Sequence, residues 1–139
     1  MPEPEIKVLI CGDRNYTDAA KITGFVNSLP PYFTVIHGGA RGADSLAGMA
    51  ATNRGLNVQV FPALWNVYGK GAGPIRNQQM LDEGKPNMVA YFHDDLLNSK
   101  GTKNMVERAM KAGLTVIDNP YRYERGLHQS SPVKDEHSF

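Results

Sequence analysis

Five apolar runs of strand length recur along this chain, and most end in a cluster of glycine and polar residues. The runs are Ile6 to Cys11 (IKVLIC), Tyr32 to Ile36, Asn57 to Phe61, Met88 to Phe92 and Leu114 to Ile117. Helix-like segments separate them. One starts near Thr17, which reads as an N-cap with Asp18 in the first turn, and places Ile22, Phe25 and Val26 at core spacing before Pro30-Pro31 stops it. Others cover about Ala43 to Arg54, Pro74 to Glu83 and Thr102 to Ala112. Gly55, Gly84 and Gly113 follow three of these helices, where glycine takes the left-handed exit without a Cβ penalty. This alternation predicts an α/β fold. The expected architecture is a Rossmann-like three-layer sandwich with a mainly parallel sheet of about five strands and right-handed crossovers.

A chain of 139 residues has the size of one domain. Residues 1–118 form the expected domain, and 119–139 read as a polar C-terminal tail with almost no aliphatic core. A sharper reading docks Tyr121, Tyr123 and Phe139 of that tail on a partner subunit. The longest apolar runs fall far short of the roughly 20 residues a membrane span needs, so no membrane partner is expected. Pro2-Glu3-Pro4-Glu5 lacks the basic start and apolar stretch of a signal peptide. A single cysteine, Cys11, excludes an internal disulfide and fits a reducing compartment. The expected location is cytoplasmic. Fifteen basic residues against 14 acidic ones give a net charge of +1, without the basic excess typical of a protein built to grip nucleic acid.

In an open parallel sheet a ligand sits beyond the carboxyl ends of the strands, where strand order reverses. The residues after each strand are therefore the candidate site. Gly12, Asp13 and Arg14 follow the first, and the loop Gly38-Gly39-Ala40-Arg41-Gly42-Ala43-Asp44 follows the second. Its glycines allow close approach of backbone to ligand, the next helix start offers N–H groups to an anion, and Arg41 adds a forked donor. It ends without the Gly-Lys-Ser/Thr of a P-loop and does not match GxGxxG. The long loop from Pro62 carries Trp65, a candidate for stacking, then Gly73, Arg76 and Asn77 around a helix start. Gly101 and Thr102 open the last helix, with Thr102 as its expected N-cap. No histidine pair has metal-ligand spacing, so neither a metal nor a cofactor is expected. Cys11 reads as an inert core residue, and Asp94 and Asp95 as exposed turn residues.

Together these residues resemble the SLOG superfamily, the Rossmann-like group that includes the DNA-processing protein DprA and the phosphoribohydrolase LOG. The likeness is strongest to its small YspA-like branch, common in bacteria and phages. It rests on CGDR (Cys11 to Arg14), HGGARGAD (His37 to Asp44), GAGPIRN with Met80 (Gly71 to Asn77) and GTKNM (Gly101 to Met105). The resemblance implies a pocket for a nucleotide or nucleotide derivative and a homodimer. Arg76 falls on the arginine of an R-x-x-x-M-like helix motif, and Gly101-Thr102 on the PGGxGTxxE loop of the hydrolases. Met105 stands where those enzymes carry their catalytic glutamate, and Glu107 lies two residues on. The expected function is binding of a nucleotide or nucleotide-derived small molecule, as a sensor or sequestering module. The alternatives are hydrolysis of an N-glycosidic or phosphoester bond, with Asp13, Asp44 or Asp94 as acid/base groups, and DprA-like DNA binding.

Overall fold

A computed structural model describes residues 5–124. Five parallel strands, β1 (Ile6–Gly12), β2 (Phe33–His37), β3 (Asn57–Val60), β4 (Met88–Phe92) and β5 (Thr115–Asp118), form one sheet in the order β3-β2-β1-β4-β5. The helices are α1 (Ala19–Asn27), α2 (Ala43–Arg54), the single turn α3 (Trp65–Tyr68), α4 (Ala72–Gln79) and α5 (Gly101–Lys111). The expected α/β, Rossmann-like architecture is the one observed. Strand order reverses at β1, whose neighbours are β2 and β4.

The apolar runs are continuous rather than alternating because both sheet faces are covered. On one face Val8, Ile10, Val35, Ala90 and Phe92 pack against Ile22, Phe25 and Val26 of α1 and the small residues Ala43, Ala47 and Ala51 of α2. On the other, Leu9, Ile36 and Val89 meet Met80, Met105, Val106 and Ala109. Cys11 belongs to this second cluster, and burial pushes its thiol well above the usual range, as expected of an inert core residue.

Several local expectations change. Asp18, not Thr17, caps α1: its Oδ1 accepts the Lys21 amide at 3.1 Å. Gly55 and Gly113 take the left-handed exit, at φ 82° and 80°. At the third exit Lys85 takes it instead, at φ 52°. Gly84 is held inside a π-turn, Met80–Gly84, where a Cβ would come 3.1 Å from Ile36 Cδ1. The long loop after β3 is partly helical, through α3 and the 3-10 turn Gly69–Gly71. Tyr123 packs edge-on against Phe33 of its own domain, with ring centroids 5.0 Å apart. Phe139, His128 and His137 lie outside the described residues.

Candidate functional site

The parallel register brings Gly12 level with Phe92 and His37 level with Val60, so the strands end together and their loops converge. The first two loops interlock. A Cβ on Gly12 would strike the Phe92 carbonyl and come 2.8 Å from the Ala43 Cβ, and one on Gly42, at φ +74°, would strike the Asp13 carbonyl. That carbonyl accepts the amides of Tyr16 at 3.1 Å and Ala43 at 3.0 Å. Gly42 therefore lets the backbones meet and lines neither of the two cavities described below.

Asp44 is 5% exposed and orders the glycine loop from within. Its Oδ2 accepts the amides of Gly38 at 3.0 Å and Ala40 at 3.3 Å. Burial raises its pKa to about 6, while Arg76, the two amides and Arg14 act in the opposite sense. His37 Nδ1 accepts the Gly39 amide at 3.0 Å, and burial, followed by the Arg76 charge, lowers its pKa. The loop thus spends three amides on its own side chains, and Ala43 spends a fourth on Asp13, so the α2 start has less to offer an anion than its glycines suggest.

Arg76 reaches back from α4. Its Nη1 donates to the Gly38 carbonyl and, at 3.4 Å, to the Phe61 carbonyl, and its Nε donates to Asn77 Oδ1 at 3.2 Å. Asn77, 5% exposed, donates to the Gly101 carbonyl at 3.2 Å and to Asn104 Oδ1 at 3.1 Å, tying α4 to α5. Thr102 is not the cap of α5. Ser99 Oγ accepts the Lys103 amide at 2.9 Å, and Thr102 is the second helical residue, 6% exposed. The Gly101 and Thr102 amides have no partner among the described residues, so this helix start, on the cavity wall, is open to an anion.

These loops enclose a cavity of about 680 Å³ at the β1–β4 switch point. Of the expected site residues, Gly12, Asp13, Arg14, Arg41 and Asp44 line it from the first two loops. Trp65, Gly73, Arg76, Asn77, Gly101 and Thr102 line it from the later ones. Gly38 and Gly39 face a smaller neighbouring cavity instead. Asp94 lines neither cavity and is exposed. The Arg14 guanidinium lies over the Trp65 ring, 5.5 Å from its centroid. Lys70, His93, Lys100 and Asn104 also line the large cavity. None of the four was among the expected site residues, although His93 and Lys100 stand in the segment that follows the fourth strand. Lys70 lay between loop glycines and Lys100 directly before Gly101, but a lone lysine in a polar loop reads as solvated. Among the described residues no group of histidine, cysteine and carboxylate side chains could hold a metal ion, and no helix is long and apolar enough to cross a membrane.

The model of the YspA, cpYpsA-related SLOG family matches residues 6–68, which hold β1, the glycine loop and Trp65. The Gene 61 protein of Mycobacterium phage D29 is 33% identical over 121 residues, covering 81% of this chain and 94% of that protein. The chain belongs to the SLOG family. Its fold is also that of DNA processing protein A (DprA) from Streptococcus pneumoniae, with a TM-score of 0.69 at 21% identity over 81% of this chain. The SLOG chain spans half the length of that DprA chain. Within this SLOG domain, Met105 is 1% exposed on the wall of the cavity, at the position the hydrolase resemblance gives to a glutamate. Glu107 is exposed and lies outside the cavity lining.

Proposed function

We propose that this SLOG domain binds a nucleotide or nucleotide-derived anion in the large cavity, as a sensing or sequestering module rather than a hydrolase. One observation carries the reading: the imbalance of charge around the cavity. Arg14, Arg41, Lys70, Arg76 and Lys100 line it against two carboxylates, Asp13 and Asp44. Both carboxylates already accept backbone amides, Asp13 Oδ1 from Asn15 at 2.9 Å and Asp44 from Gly38 and Ala40. Five basic groups against two carboxylates leave the cavity with an excess of positive charge, and an anion bound there gains charge-assisted hydrogen bonds. The free amides of Gly101 and Thr102 suit a phosphate, and Trp65 offers a face for a base. The preference for binding over hydrolysis follows from Met105, which can neither stabilise a developing positive charge nor transfer a proton.

Trp65 is the only tryptophan of the chain, so its emission reports on the cavity without a label. Titration with ADP should change that emission saturably, with an affinity that falls as salt rises. Emission unchanged by adenine and guanine nucleotides up to millimolar concentration would refute the reading.

A further inference from the structure

Beyond the ends of β2 and β3 a second cavity of about 310 Å³ opens, lined by Gly38, Gly39, Pro62 and Ala63. Arg14, Ala40, Arg41, Trp65 and Arg76 line both cavities, so a single row of residues separates them. Three of those five are arginines. None forms an ion pair among the described residues, where the one salt bridge joins Arg122 to Glu124. Guanidinium groups on one wall repel each other. The pKa of Arg76 is lowered, first by burial and also by the Arg14 charge, with Asp44 acting in the opposite sense. Such a wall is relieved by an anion that touches several of its members at once.

The two chambers share that wall. The large one sits over the β1–β4 switch point and the small one over the far half of the sheet. The small chamber is at the lower end of the ~300–1,000 Å³ typical of small-molecule pockets, a space for one nucleoside-sized group. Arg14 and Trp65 are both exposed side chains, the guanidinium 5.5 Å from the ring centroid, and both line the two chambers. A base entering either side can keep a face of Trp65 while the guanidinium moves onto a phosphate.

We propose that the ligand is two-ended: two nucleoside-sized groups joined through phosphate, one in each chamber, with the phosphate linker on the Arg14–Arg41–Arg76 wall. This inference rests on the nucleotide reading of the large cavity and adds a second subsite to it.

Calorimetry on the whole chain with AMP, ADP and diadenosine diphosphate, and with their guanine counterparts, tests it. The two-ended probe should bind at least about tenfold tighter than the diphosphate, because its second end is delivered at high effective concentration. Ala63 lines only the small chamber. Ala63→Trp, which fills that space, should abolish the gain and leave AMP and ADP affinities within about twofold of the parent. If diphosphate binds and the two-ended probe binds no better, this inference falls and the large-cavity reading stands. If no probe binds, both fall. Should Ala63→Trp fail to fold, a crystal structure with diadenosine diphosphate decides. The second adenosine inside the small chamber supports the inference, and the second adenosine in solvent overturns it.

Discussion

Asp44→Asn should make the protein's stability less sensitive to pH, by an amount the structure sets. The Asp44 carboxyl is buried and stands at about 6, against 3.8 for the same group in water. The gap, at about 1.4 kcal/mol per pH unit, amounts to about 3 kcal/mol. The sign follows from which state holds the proton more tightly. Folded Asp44 has the higher pKa, so the folded chain loses stability as pH rises from about 4 through about 6, and loses no more above that. The amide introduced by Asp44→Asn is neutral throughout, and its oxygen can still accept from Gly38 and Ala40, which donate to Oδ2 in the parent. Other titrating groups cancel when variant and parent are compared at each pH. Urea denaturation of both at pH 4 and pH 8 should show the variant gaining about 2 kcal/mol on the parent between the two, since part of the full effect is already present at pH 4. A difference that stays constant within about 0.5 kcal/mol would mean that Asp44 ionises as it does in water, and the account of a carboxylate desolvated beneath the glycine loop would be wrong.

Arg76→Ala should cost both binding and stability, because the side chain holds the Gly38 and Phe61 carbonyls as well as facing the cavity. Calorimetry should read a loss of about 1.5–3 kcal/mol in nucleotide affinity, and denaturation a further loss of about 1–3 kcal/mol. Gly42→Ala forces a Cβ into a residue at φ +74° and against the Asp13 carbonyl, so thermal melting should show a loss of at least about 3 kcal/mol or no folded protein at all; a Tm within a few degrees of the parent would contradict the interlock. Incubation with AMP should release no free base by chromatography, since Met105 stands on the cavity wall. Turnover near 1 per second, abolished by Asp13→Asn or Asp44→Asn, would move hydrolysis ahead of binding.

The fold was legible because apolar runs buried on both faces leave an unbroken signature, and α2 and β4 matched their expected limits to the residue. Side-chain roles were less so. Asp44 carries the sequence signal of a charge at a helix start, yet its carboxylate turns back onto the amides of Gly38 and Ala40. Asn77 follows a glycine-rich segment and looks like a ligand group, yet its amide joins two helices through Gly101 and Asn104. Both cases depend on where the chain places an acceptor several residues or a whole helix away, which local spacing does not encode. The Arg14–Trp65 contact has the same origin: 51 positions separate two residues that meet only once the loop after β1 and the turn α3 come together beyond the carboxyl ends of the strands.

The Gly12–Gly42 interlock also limits how such a domain can diversify. Two loops that pass within a backbone's width of each other are inherited as a pair, since a side chain added to one displaces the other. New ligand preferences are then expected to arise in segments free of that constraint, in the stretch from Leu64 to Lys70 and in the turn from His93 to Lys100. Graft experiments that exchange those two stretches between relatives should transfer selectivity with the fold intact, while an exchange of the glycine loop succeeds only when the turn after β1 travels with it.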